Sequence, residues 1–284
     1  MMLKAKQKGF TLLELLVVIT LLAILSVGAL VAYDGLTEKA QASATANNTA
    51  AVDRAIRQYK VISQNLPDQW DNLAGSGIAT GYPELASPTK FILSNLSGAP
   101  LASAVLALEE AGIEELQQAP NAKVDGVVPN LQHNEGATSG ASADVPLASI
   151  TNVAILAYNG QTTYASTVAT ATDSQRINKL NDSFEDDETN IIVALGFGHD
   201  AAHSTADSKV AIAQAATYTS KDVDPSKNYA RYIGLFHVAE DDTSNNVAPT
   251  AVAEWHEKAH FVGIIDPEGN GIDDNIAEAI SNDN

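Results

Sequence analysis

Pairs of histidines four residues apart occur twice in this chain, and each is a spacing that can hold a metal ion. "HEKAH", His256 to His260, has the H-E-x-x-H pattern. On a helix its two imidazoles would share a face and bind zinc, with Glu257 polarising a metal-bound water, which is peptidase chemistry. The residues that follow, "FVGII", read as a strand. On a strand, positions i and i+4 lie roughly 13 Å apart, too far for one ion. A third ligand would have to be Glu268 or Glu278. Zinc at His256, Glu257 and His260 is therefore the alternative to a polar edge beside Trp255. "HDAAH", His199 to His203, follows Gly196 and Gly198 in an expected loop, where a solvated loop competes with adventitious metal binding. "DPEGNGIDD" offers oxygens from Asp266, Glu268, Asn270 and Asp274 around a glycine turn, like the start of a calcium loop. Ala277 stands where that loop would place its bidentate glutamate, and Glu278 comes one residue late. An acidic surface turn is the expectation there, with calcium as the competing reading. No nucleophile elbow, phosphate loop or basic–aromatic surface occurs, and the glycines of "ALGFGH" define no motif.

The other residue placed where chemistry is needed is Glu14. From Phe10 to Ala32 it is the sole ionisable side chain in an apolar run, and the next charge is Asp34. As a helix the run spans roughly 34 Å, enough to cross a bilayer core. Lys4, Lys6 and Lys8 flank its N-terminal side, which keeps that end cytoplasmic. A secretory signal cut near Val27-Gly28-Ala29, a plain anchor of a secreted or binding protein, and a processed filament subunit all fit such a run. Glu14 separates them. A lone carboxylate in hydrocarbon costs on the order of 2.5 kcal/mol or more and needs a partner. Cleavage at Gly9–Phe10 would create an α-ammonium one helical turn away, on the same chain or on a shifted neighbour. The first turn also faces the positive end of the helix dipole.

"KGFTLLELLVVITLLAIL" resembles the N-terminal processing and methylation signature of type IV pilins and type II secretion pseudopilins. The resemblance implies cleavage by a prepilin peptidase after Gly9, N-methylation of Phe10, and a role for Glu14 in subunit registration. It also implies a homo-oligomeric helical filament built on an inner-membrane assembly platform with minor pilins. The subunit would sit in the inner membrane with its head in the periplasm before joining a periplasmic or extracellular filament. Such a subunit is structural, with no enzymatic activity and no required cofactor. Many pilins carry a proline near the end of the apolar segment. Here Ser26-Val27-Gly28 is the one soft spot, which leans toward the pseudopilin branch. Major pseudopilins often bind calcium in a C-terminal loop, which keeps Asp266 to Asp274 in view.

These residues must be positioned by a longer framework. "EKAQASATANNTAAVDRAIRQYKVISQ" continues the helix, with Val52, Ile56, Tyr59 and Ile62 as an apolar stripe and Ala42 to Asn48 as a solvated face. Pro67 follows its end. The expected rod runs from Phe10 to about Gln64, after a leader over 1–9 and before a head over 65–284. "NLPDQWDNL" resembles the turn after the long helix of pseudopilin-like proteins. "GAPLASAVLALEEAGIEELQQAP" predicts a helix from Pro100 to Gln118, and 119–146 a surface loop. Strands are predicted at Ile150–Tyr158, Thr162–Val168, Thr189–Phe197, Tyr229–Val238 and Phe261–Ile265. The last two, with their flanks, loosely resemble the C-terminal part of a group of large pilin-like proteins. The fold class is α+β, a long N-terminal helix on a head with an antiparallel sheet. At 284 residues the chain can bury a sizeable core, and without cysteine it has neither disulfides nor thiolate metal sites. Its net charge of -19 argues against nucleic-acid binding.

Overall fold

A computed structural model describes residues 11–74, 92–118, 143–157, 184, 189–218, 220, 223, 229–241 and 254–281. Helix α1, Leu12–Ser63, is a single helix of 52 residues, about 78 Å long. Thr11 caps its start, and Gln64 ends it in the left-handed region at φ 61°. In the apolar first part the hydroxyls are satisfied within the helix: Thr20 donates to the Val17 carbonyl at 2.9 Å and Ser26 to the Leu22 carbonyl at 2.7 Å. Pro67 follows the cap rather than forming it.

The second half of α1 packs on the head. Val52 and Ile56 are buried as the stripe predicts, but Ile62 is exposed. The polar stretch before them is not a solvated face throughout: Ala42 and Thr45 are buried, as is Thr49 just beyond it. Small residues at that spacing admit the C-terminal helix, where Asn275 donates to the Thr49 hydroxyl at 3.2 Å. Arg57 ties α1 to the sheet, pairing with Asp53 at 2.7 Å and donating to the Val262 carbonyl at 2.8 Å. Its guanidinium lies 5.2 Å from the Phe261 ring centre.

The strands are β1 (Trp70–Asn72), β2 (Ile92–Ser97), β3 (Glu115–Gln118), β4 (Ala143–Pro146), β5 (Asn152–Ala157), β6 (Thr189–Gly196), β7 (Ile233–Asp241) and β8 (Glu254–Ile265). They form one sheet with β6 at its centre. One edge of β6 pairs with β7, which pairs with β8. The other edge pairs with β5 at one end and β1 at the other. The sheet is mixed rather than purely antiparallel, because β1 runs parallel to β3. Ile191, Val193 and Leu195 of β6 enter one core cluster with α1 and helix α2 (Ala99–Glu110), whereas Ile192 and Ala194 enter a second. Both faces of β6 are thus buried, which is why its sequence is continuously apolar instead of alternating.

Two corrections concern element ends. The helix expected over Pro100 to Gln118 stops at Glu110, and Glu115–Gln118 is strand β3. Gly112 stops it at φ 94°, with its N–H on the Glu109 carbonyl and that of Ile113 on the Leu108 carbonyl, a Schellman pair. The end of the expected 119–146 loop is strand β4, while 119–142 lies outside the described residues, as does the strand expected at Thr162–Val168. Helix α4 (Ile272–Ser281), which the strand patterning did not anticipate, closes the described chain after a short α3 (His199–His203).

The glycines of "ALGFGH" have a packing reason. Tyr229 donates its hydroxyl to Asp71 at 2.5 Å. A Cβ on Gly196 would lie 2.2 Å from the Tyr229 hydroxyl oxygen, and one on Gly198 would lie 2.3 Å from an Asp71 carboxylate oxygen. The neighbouring Trp70 packs between Phe197 and Phe236, with ring centres at 5.1 and 5.0 Å. Gly112→Ala would force an L side chain into the left-handed region and against the Asn65 Cβ at 2.6 Å. We expect it to lower unfolding stability by about 1–3 kcal/mol. Gly271→Ala, with nothing within 4 Å of its new Cβ, should stay within about 0.5 kcal/mol. Denaturant titration of the detergent-solubilised chain measures both.

Candidate functional site

Thr11 precedes the apolar run and has a glutamate at the third helical position, a capping-box arrangement. Glu14 Oε2 accepts from the Thr11 amide at 2.8 Å and from the Thr11 hydroxyl at 2.9 Å, and the Glu14 amide donates to that hydroxyl at 3.2 Å. The carboxylate is therefore turned back along the chain onto Thr11. Gly9 and Phe10 themselves lie outside the described residues. Behind Glu14, Leu12–Leu30 is long and apolar enough to span a membrane, and none of that segment is buried by its own chain. Leu12, Ile24 and Leu30 are each more than 70% exposed.

In the head, each predicted cluster takes a definite form. The "HEKAH" segment is strand, not helix. Its histidines are nonetheless close, with the ring centres of His256 and His260 5.0 Å apart. The cause is a break in register. His237 pairs with His260 and Ala239 with Trp255, so the four residues 256–259 of β8 bow out against Val238 of β7. The strand-based separation of roughly 13 Å holds only for an unbroken ladder. His237, which sequence spacing did not single out, joins the pair: its Nδ1 lies 3.2 Å from His256 Nε2. The ligand nitrogens of His237, His256 and His260 all lie within 4.8 Å of one another. Glu257 is exposed and not part of that group, and neither are Glu268 and Glu278. The one sequence signal for His237 was its place in the strand predicted over Tyr229–Val238; that this strand pairs with the segment carrying the other two comes from the structure. Burial pushes the His237 imidazolium down to about 4, helped by neighbouring His256 and opposed by the Ala239 backbone. Burial also lowers His260.

His199 and His203 sit on the short helix α3 instead of a loop, with rings stacked at 6.0 Å. His199 Nδ1 is 3.0 Å from the Asp200 carboxylate. No third ligand joins them among the described residues.

The "DPEGNGIDD" segment forms a turn whose oxygens serve its own donors. Asp266 is fully buried and accepts from the amides of Glu268 and Asn270, both at 2.9 Å, and from the Asn270 side chain at 3.2 Å. Glu268 accepts from the Ser220 hydroxyl at 2.6 Å. Asp274 accepts from the Gly271 amide at 3.3 Å, at the start of α4. Desolvation lifts the Asp266 carboxyl to about 6, against the lowering effect of its Asn270 hydrogen bonds.

Residues 4–30 match the family model of the prokaryotic N-terminal methylation motif. The chain thus carries a type IV pilin or pseudopilin-like precursor signature, which implies prepilin-peptidase processing and filament assembly in general. No curated protein and no solved structure matches the chain.

Asp266 supplies a pH prediction. Its folded carboxyl binds a proton more tightly than the unfolded one, so its stabilising effect is complete below the ordinary carboxylate range. That effect, up to about 3 kcal/mol, is lost as pH rises through about 6. Asp266→Asn should flatten the slope of the melting temperature between the ordinary carboxylate range and about 6, measured by thermal unfolding of wild type and variant across that window.

Proposed function

We propose that the chain is a structural subunit of a type IV pilus-like or type II secretion pseudopilus filament. It would be cut at Gly9–Phe10, methylated on Phe10, and assembled by packing of its N-terminal helices. The observation that carries this reading is the bare apolar half of α1 with one carboxylate at its start. Burying a single leucine side chain is worth about 1.5–3 kcal/mol. Leu12–Leu30 therefore favours a bilayer or neighbouring copies strongly over water. Glu14 is turned back onto Thr11, the residue that follows Phe10 in sequence, so the Phe10 ammonium of this subunit or of an adjacent one would be its natural counter-charge. The inner membrane before assembly and a periplasmic or extracellular filament afterwards follow from the same chemistry.

The reading needs no cofactor and no catalysis. Calcium at Asp266, Glu268, Asn270 and Asp274 would share carboxylate oxygens that already accept hydrogen bonds within the turn and from Ser220. The helical face on which H-E-x-x-H peptidase chemistry depends is not formed, because the segment is strand β8.

The test separates charge from capping. Glu14→Gln keeps the capping box, which accepts Gln as well as Glu, but removes the anion. It should abolish or misregister filaments seen by electron microscopy while leaving the head folded by circular dichroism. Normal filaments from Glu14→Gln would sink the registration role. Mass spectrometry of native filaments should find a mature chain beginning at methylated Phe10; a start at Ala29 or Leu30 would point to an ordinary signal peptide instead.

A further inference from the structure

The bowed segment of β8 makes a site that the filament role does not use. His237, His256 and His260 come from two strands, and their ligand nitrogens lie within 4.8 Å of one another. His237 is only 6% exposed, His256 is half-buried and His260 is exposed, so the cluster opens to solvent on one side. A neutral imidazole carries one N–H and one lone pair. The single contact between His237 and His256 satisfies one donor and one acceptor. Three neutral rings crowded together can satisfy few of one another's nitrogens, since each offers only one donor and one acceptor. A single cation accepts a lone pair from each ring at once.

The geometry points to a divalent transition-metal site formed by His237, His256 and His260. Three imidazole nitrogens with one position left to water suit zinc, nickel or copper rather than calcium or magnesium, which require oxygen ligands. In a tetrahedral zinc site, ligand nitrogens 2.0–2.1 Å from the metal lie about 3.3 Å apart. The His237–His256 nitrogens are already at 3.2 Å. Binding would require the exposed His260 side chain to turn inward over the remaining distance. Phe184 packs edge-on against His237 with ring centres at 4.9 Å and holds that ring in place. Lys60 opposes a dication near His260 and Glu240 supports one, so affinity rests on the nitrogens.

The metal would pin the bow of β8 to β7. Lys258, inside the same bow, donates to the Gln64 carbonyl at the C-cap of α1 at 3.3 Å. A bound ion therefore stiffens the place where the head holds the rod. This site is independent of the filament reading, since failed assembly would leave the three histidines where they are.

The test uses the full chain in detergent micelles, titrated with Zn2+ alone after chelator treatment. One equivalent should bind saturably and raise the melting temperature. Both effects should be lost in His260→Ala, an exposed position whose removal leaves the fold intact, and in His256→Gln. They should persist in His199→Ala/His203→Ala, which removes the other pair. On the wild-type chain, Co2+ in place of Zn2+ should develop the visible absorption of a nitrogen-ligated tetrahedral site. An unchanged aqueous cobalt spectrum, no saturable uptake of Zn2+, or uptake that survives His260→Ala would each overturn the site.

Discussion

Helix α1 has to satisfy two environments along one unbroken axis, and the rest of the molecule is arranged around that constraint. Its first part, Leu12–Leu30, is apolar on every side and is not buried by its own chain. With no water to accept them, the backbone groups of such a segment must be paired within the helix, and the hydroxyls of Thr20 and Ser26 follow the same rule. Its second part has one face for the head and one for solvent. The change happens without a proline or a break, so any strain on the rod is passed directly to the head.

The head grips that rod at few points, each different in kind. Val52 and Ile56 enter the larger core cluster with α2 and one face of the sheet. Arg57 reaches the β8 backbone and lies over Phe261. Thr49 meets Asn275 of α4, where small side chains let the two helices come close. Beyond the rod's end, Trp70 is clamped between Phe197 and Phe236, and Asp71 takes the Tyr229 hydroxyl under Gly196 and Gly198. The turn at Asp68 joins in, its carboxylate accepting from the amides of Glu114 and Glu115 at 2.8 and 2.9 Å. The long helix is thereby coupled to the centre of the sheet through aromatic packing and through hydrogen bonds made by charged side chains.

Signals confined to a few neighbouring residues are legible in the amino-acid sequence. The start of α1, its continuation past Tyr33, strand β5 and the continuous apolar run of β6 follow from periodicity and propensity. The stop at Gly112 is also legible, because a glycine followed by an apolar residue after "LEEA" is the Schellman pattern; helix-favouring residues beyond it obscure the signal. Other features are out of reach. Ala42, Thr45 and Thr49 look like a polar face until α4 is placed against them. The parallel pairing of β1 with β3 joins segments far apart in the chain, and periodicity within either strand says nothing about it.

The two candidate sites divide along the same line. Residue order alone dictates the processing motif and the capping box of Thr11 and Glu14, because both consist of neighbours whose geometry the helix imposes. The same local reasoning treats His256 and His260 as too distant on a strand to share an ion. Their meeting, and the addition of His237, belong to the tertiary structure, since a register break between β7 and β8 shortens the span that a regular ladder would impose. Register depends on how two remote strands pack in the sheet, and neither strand carries that information in its own pattern.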